Sequence, residues 1–329
     1  MTDFIPFSRV PELSLDELKD DFKAILKSGV YVNGKYAREL EDTVRDFYMS
    51  RYCLSFGSGT SALWWAVYAI KQLYMKNYRP VCAIPAFTWS STFYALAPAD
   101  YDKVILKDVS PDTWLMESTV GDPDVPDLVM PVTTFGNNFN RNLREFFPDS
   151  YIVLDATHNL GSYIPKSDEY DVAVFSLAPT KNIPAADGGL LLTDNISVAA
   201  MVAEERDKYG RMTEFSAAIA LKNWEKASRL LRQKEEGRKE YVSRLPNFRF
   251  QRCYRSAHSV CACLLDRPSQ PIVDALAGEI EFKRYYQPIK EGLPTTDDIY
   301  NRILCLPNYD GVDREFVAKR IIEELGRKG

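Results

Sequence analysis

Histidine is nearly absent from this chain: its 329 residues include only two, His158 and His258. That scarcity argues against a His-rich proton relay and against most zinc sites, so no metal centre is expected. Basic clusters are also missing. The 41 Lys+Arg and 46 Asp+Glu leave a net charge of −5 with no Lys/Arg-rich run, so neither nucleic acid nor an anionic membrane surface is an expected partner. Long apolar runs are lacking too. The longest uncharged stretch, Tyr52 to Ile70, is interrupted by Gly57-Ser58-Gly59-Thr60-Ser61, whereas a membrane span needs ~20 predominantly apolar residues. The opening residues carry acids and prolines where a secretory signal has a basic and then an apolar stretch. Six cysteines are scattered without the spacing of a disulfide framework, so reduced thiols and a cytoplasmic location are expected. Cys261 and Cys263 lie near His258 in the manner of a metal corner. Their spacing inside an apolar run fits a strand better, with both thiols on one face.

What is present describes a globular protein. The hydrophobic fraction is 46% and the charged fraction 26%, and at ~150 residues per domain the length suggests about two domains. Leu15, Leu18, Phe22, Ile25 and Leu26 follow helical spacing behind Ser14, a good N-cap. Helical periodicity returns over Tyr36 to Tyr48 and Thr60 to Met75. Short apolar runs then alternate with polar or helical segments: Val81–Ile84, Val104–Leu106, Leu128–Val132, Ile152–Leu154, Val172–Leu177 and Leu190–Thr193. That alternation predicts an α/β protein with a largely parallel sheet. Residues 199–245 turn charged and helical. After them come strands over Phe248–Cys253 and Ser259–Leu265, a helix near Ile272–Leu276 and a closing helix after Asp313. The division expected is a large domain over residues 1–235 and a smaller α+β domain over 236–329, with the boundary near 230–245.

Three segments carry chemistry. Gly57-Ser58-Gly59-Thr60-Ser61 leads into a helix, and free N–H groups at such a start suit an anion such as phosphate. It is neither a P-loop nor a dinucleotide fingerprint. Asp155 ends an apolar strand, where open α/β sheets hold their ligands, and His158 follows three residues later. Ser176 ends another strand, and Lys181 follows among small and apolar residues. A lysine in such a setting has its neutral amine favoured, as a Schiff-base nucleophile requires. A phosphate loop, a strand-end Asp and a following Lys are together the parts of a pyridoxal phosphate (PLP) site.

In these motifs the chain resembles the DegT/DnrJ/StrS family of PLP-dependent sugar aminotransferases, within fold-type I. The resemblance rests on Ser58-Gly-Thr-Ser-Ala-Leu63, Pro85-Ala-Phe-Thr-Trp-Ser-Ser-Thr92, Asp155-Ala-Thr-His158, Phe175-Ser-Leu-Ala-Pro-Thr-Lys181 with Gly188-Gly189, and Arg211-Met-Thr-Glu-Phe-Ser-Ala-Ala-Ile219. A fainter likeness continues through Tyr285-Tyr-Gln-Pro288 and Arg302–Pro307. The resemblance implies a mostly parallel seven-stranded sheet between helices, a smaller C-terminal α+β domain and a homodimer with shared active sites. It implies that Lys181 forms the Schiff base and shuttles protons, that Asp155 pairs with the pyridine nitrogen, and that His158 lies beside the cofactor's 3-hydroxyl. Trp89 would stack on the ring, while Gly59, Thr60, Ser61 and Ser176 would hold the phosphate. Tyr209, Arg211, Tyr286 and Lys290 are candidates for substrate contact.

The implied activity is transfer of an amino group from an amino acid, glutamate by expectation, to a keto group of a nucleotide-linked deoxysugar, in two ping-pong half-reactions. Amination of a cyclitol or another non-nucleotide ketone is an alternative, as is a non-enzymatic PLP-fold binding protein. Relatives that dehydrate or deoxygenate sugars carry His in place of the lysine, and Lys181 argues against that chemistry. The chain also departs from the family. Tyr209 stands where an Asn usually reaches the neighbouring subunit's phosphate, Asp187 where a Glu precedes the paired glycines, and Lys290 where a His is common.

Overall fold

The computed structural model describes residues 4–327. Helix α1 (Leu15–Ser28) starts at Ser14, whose hydroxyl accepts from the Glu17 amide while the Glu17 carboxylate accepts from the Ser14 amide. This reciprocal capping box is the device the sequence pattern implies. Next come α2 (Lys35–Tyr48), β1 (Tyr52–Phe56), α3 (Gly59–Tyr74), β2 (Val81–Pro85), α4 (Ser90–Tyr94), β3 (Lys103–Lys107) and β4 (Leu128–Val129). The chain continues through α5 (Leu143–Phe146), β5 (Tyr151–Asp155), β6 (Val172–Ser176), β7 (Gly189–Thr193), α6 (Ile196–Tyr209) and α7 (Glu214–Glu225). Among the described residues, strands β1 to β7 form one sheet in the order β1-β7-β6-β5-β4-β2-β3. Only β7 runs against its neighbours.

Alternate residues of the central strands feed two cores. On β5, Ile152 and Leu154 pack with α1, α2 and α7, while Val153 faces the helix α3 and α6 side. On β6, Ala173 and Phe175 join the first core, and Val172 and Val174 the second. This is the signature of strands covered on both faces, and it explains their unbroken apolar runs.

The long helix α8 (Ala227–Arg244) leads to a second, antiparallel sheet of β8 (Arg249–Phe250), β9 (Cys261–Leu264) and β10 (Ile303–Leu306), ordered β10-β9-β8. Helices α9 (Gln270–Leu276), α10 (Pro294–Arg302) and α11 (Arg314–Arg327) complete this smaller α+β part. Cys261 and Cys263 do share one face of β9, in a core with α8, α9 and α11. Ala262 and Leu264 point the other way, into an aromatic cluster with Phe87, Trp114, Phe135 and Tyr286. That cluster joins the small sheet to the large one. Among the described residues no helix is long and apolar enough to cross a membrane.

The structure corrects the sequence reading in several places. The uncharged run from Tyr52 begins with a strand, β1, because Cys53, Leu54 and Phe56 are buried beside β7. The expected strand over Phe248–Cys253 pairs only at Arg249 and Phe250, and the next only from Cys261. The run Leu128–Val132 pairs as a strand at its first two residues, and Val132 makes an isolated bridge to Asp155. Ile303–Leu306 is a strand rather than only a motif remnant.

One buried carboxylate ties α7 to α2. The N-cap of α2 is Gly34, which has no side chain to satisfy the free amides. Glu214, only 2% exposed, accepts from the amides of Gly34, Tyr36 and Ala37 at 2.8, 2.9 and 3.0 Å. A Cβ at residue 34 would lie 2.6 Å from Glu214 Oε2, so the glycine is required by space. Removing a partner from buried amides costs about 1–3 kcal/mol for each group left unsatisfied. Glu214→Ala is expected to lower unfolding stability by on the order of 3 kcal/mol or more, read by denaturant titration.

Candidate active site

Four strand ends meet at one edge of the large sheet. β1 leads through Gly57-Ser58 into α3, β2 leads into Thr88-Trp89, β5 ends at Asp155, and β6 ends at Ser176. Since β7 is antiparallel to both β1 and β6, those two run the same way, and their C-terminal ends share the edge. Ligands of open α/β sheets bind at such an edge. A cavity of about 360 Å³ lies there, closed on its other side by residues of the small sheet and by Phe7 and Ser8.

Close backbone approach builds one corner of it. Ser58 caps α3, its hydroxyl accepting from the Ser61 amide at 3.1 Å. A Cβ at Gly59 would stand 2.9 Å from Ser176 Cβ, and one at Gly189 would stand 2.4 Å from the Ser58 carbonyl oxygen. The two glycines thus let the start of α3 sit against the end of β6. Gly59, Thr60 and Ser176 all face the cavity. A helix start with adjacent hydroxyls suits a phosphate.

The opposite electrostatic element is Asp155, 3% exposed. Its Oδ1 accepts from Thr157 Oγ1 at 2.7 Å, and its Oδ2 from Thr92 Oγ1 at 3.0 Å. Thr92 is in turn 2.8 Å from Thr88. The carboxylate is fixed by hydroxyls, with no cationic side chain in ion-pair contact among the described residues. Trp89 caps the cavity with its indole 57% exposed, so a ring face is free to cover a flat ligand.

His158 organises the reactive amine. Its Nε2 lies 3.1 Å from Lys181 Nζ and 2.8 Å from Tyr286 Oη, and its Nδ1 lies 2.6 Å from Ser259 Oγ. Burial, with the Lys181 charge adding to it, pushes the imidazole well below its usual value, so it is neutral at pH 7. Burial pushes the Tyr286 phenol well above its usual value, so it keeps its proton. A protonated phenol donates to Nε2, which leaves the imidazole proton on Nδ1 to donate to Ser259 Oγ. Lys181 Nζ, at 3.1 Å, shares that single Nε2 lone pair with the shorter Tyr286 contact. Desolvation lowers the Lys181 amine from 10.5 to about 8, and Asp155 opposes this in part.

Of the residues singled out in the sequence, Gly59, Thr60, Trp89, Asp155, His158, Ser176, Lys181 and Tyr286 line this one cavity. Ser61 does not: its hydroxyl is occupied at the Ser58 end of the capping box. Tyr209 is 73% exposed at the end of α6 and stacks on Trp65 outside the cavity. Arg211 follows it in the α6–α7 connection, beside Gly57, and Lys290 is exposed in a loop away from the lining. Sequence reading missed Thr92, Thr157, Ser259 and Lys234. The two threonines stand inside recognised motifs. Ser259, 101 residues from His158, has no local signal. Lys234 is one cation among many on a charged helix.

The donor set fits PLP. Gly59, Thr60 and Ser176 would hold its phosphate, Asp155 its pyridine nitrogen and Trp89 its ring face, with Lys181 at its aldehyde. The shifted lysine also has a thermodynamic consequence. Between about pH 8 and 10.5 the unfolded chain binds more protons at residue 181 than the folded one, so this residue's own contribution to the stability of the cofactor-free protein rises with pH there. In denaturant titrations run from pH 7.5 to 10.5, the stability of wild type relative to Lys181→Met is expected to rise with pH, and a difference that stays flat would contradict the shift.

Comparison with known proteins identifies the family and the fold. A model of the DegT/DnrJ/EryC1/StrS aminotransferase family matches residues 14–262. The fold is shared with Helicobacter pylori PseC, an aminotransferase involved in the biosynthesis of pseudoaminic acid: 18% identity over 99% of this chain and 100% of that one, TM-score 0.86. It is shared with DesI, solved in the presence of its TDP-sugar product: 20% identity, 97% and 93% coverage, TM-score 0.84. It is shared also with E. coli GDP-4-keto-6-deoxy-D-mannose-3-dehydratase, solved with bound hydrated PLP: 14% identity, 98% and 100% coverage, TM-score 0.83. At such identities the likeness is one of fold, and the family match carries the classification. The chain belongs to the DegT/DnrJ/EryC1/StrS family of PLP-dependent aminotransferases.

Proposed function

We propose that this enzyme moves an amino group from glutamate to a keto group of a nucleotide-linked deoxysugar, in two alternating half-reactions. The observation that carries the reading is the desolvated Lys181 amine, held 3.1 Å from His158 in the same cavity as Asp155. Family membership supports transamination, and the TDP-sugar product of DesI and the part of PseC in pseudoaminic acid biosynthesis support a sugar acceptor.

Bound PLP supplies the electron sink that makes a proton on the donor's α-carbon removable. Lys181 Nζ takes that proton, and in the second half-reaction returns one to the carbon that carried the keto group. An amine near neutral pH in its proton affinity serves both directions better than a solvated lysine. His158 and Tyr286 keep Nζ on station through Nε2, and Ser259 fixes the imidazole through Nδ1. Asp155, oriented by Thr92 and Thr157, would hold the pyridine nitrogen protonated. Phe7, Tyr285 and Tyr286 line the cavity and limit access of water.

The exposed Tyr209 and the Arg211 backbone beside Gly57 lie outside this cavity, and in a homodimer they would be free to face the partner's site. Within each copy, residues 1–235 would carry the cofactor and 236–329 would close over it.

The purified holoenzyme is expected to show a visible cofactor band that Lys181→Ala abolishes. Glutamate alone is expected to bleach the band and release 2-oxoglutarate, and a ketosugar nucleotide to restore it. A band that glutamate leaves unchanged contradicts the reading in favour of a binding protein. Restoration by ketocyclitols but not by ketosugar nucleotides contradicts the acceptor assignment.

A further inference from the structure

The cavity contains a second buried lysine for which the chemistry above has no use. Lys234 lies on α8, half-buried as a residue, and it faces the same space as Lys181 and Asp155. Its amine donates to the backbone carbonyl of Asn308 at 2.6 Å. An ammonium has three N–H groups, so two remain for a ligand. Burial lowers this amine from 10.5 to about 8, and no carboxylate raises it back. The nearby Arg314 has the same sign, and its own charge is met by Glu240 at 3.5 Å.

The setting is braced. Asn308 Nδ2 donates to the Lys234 carbonyl at 3.0 Å, and Asn308 Oδ1 accepts from Arg314 Nε at 3.3 Å. One helical turn along α8, a Cβ at Gly237 would stand 2.0 Å from Asn308 Oδ1, so the helix and the segment after β10 meet without a gap. A buried cation held in place without a counter-charge is costly unless a ligand supplies the anion.

We infer that Lys234 is the anchor for a carboxylate of the amino donor; this rests on the transaminase reading above. Of the two substrates, the acceptor presents a neutral ring at the reacting carbon, with its phosphates beyond that ring. The donor bears a carboxylate directly on the carbon that loses the amine. Lys181 and Lys234 line the same cavity, so a carboxylate on the reacting carbon enters the space that both face, whereas a diphosphate lies beyond the sugar ring.

The test uses cofactor-loaded enzyme and glutarate, an unreactive dicarboxylate. Calorimetric affinity is measured for wild type, Lys234→Met and Lys234→Arg, alongside KM for glutamate and for the ketosugar nucleotide. Lys234→Met is expected to weaken glutarate and raise the glutamate KM roughly tenfold or more. The Lys181-dependent band and the sugar KM should stay within about twofold, and Lys234→Arg should restore most of the loss. Glutarate affinity unchanged within about twofold overturns the assignment and leaves the transaminase reading intact. Equal weakening toward both substrates also overturns it, since a fold-holding or phosphate-binding role would act on both. A wild-type band that glutamate cannot bleach fails the functional reading itself, and the Lys234 assignment with it.

Discussion

Withdrawal of the Lys181 amine from water is the constraint on which the site depends. A solvated lysine is protonated at neutral pH and serves neither as nucleophile nor as base. Here burial moves it to about 8. The neutral imidazole of His158 accepts from it without adding a positive charge, and Tyr286 and Ser259 fix that imidazole. A protonated His158 beside Lys181 would place two cations 3.1 Å apart. Burial that pushes the imidazole down thus protects the contact as well as the lysine.

The architecture encloses that amine from two sides. The large sheet presents Asp155, Ser176 and the start of α3 at one edge because β1, β5 and β6 run the same way. The smaller α+β part covers them through Tyr286, Val260 and Cys261, and an aromatic cluster centred on Phe87, Trp114 and Phe135 packs the two parts together. Electrostatics divide along the same line. The helix start with Ser176 suits an anion, Asp155 suits a cationic ring nitrogen, and Lys234 on α8 adds a positive point on the wall formed with Asn308.

Much of this was legible before any coordinates. Strands covered on both faces appear as unbroken apolar runs, so β2, β5, β6 and β7 are readable from their residues alone, and the half-buried edge strand β3 from its short run Val104–Leu106. β1 was concealed because its apolar residues run into the equally apolar α3 without a charge between them. Lys181, Asp155 and His158 were legible because each lies near a strand end in a short motif. Ser259 and Lys234 reach the site from the segment before β9 and from a charged helix, and no spacing rule connects residues brought together only by tertiary packing. Ser61 shows the converse: a hydroxyl in the right motif is occupied in capping its own helix. Glu214 likewise stands in a recognised motif, yet its carboxylate is engaged with the start of α2.

The most direct measurement is the protonation of Lys181 itself. In cofactor-free enzyme carrying nitrogen-15-labelled lysine, the Nζ signal absent from Lys181→Arg can be followed by NMR across the alkaline range. The account predicts a midpoint at about 8, set by burial. A midpoint at the ordinary lysine value of 10.5 would mean the amine is solvated, and would contradict the account.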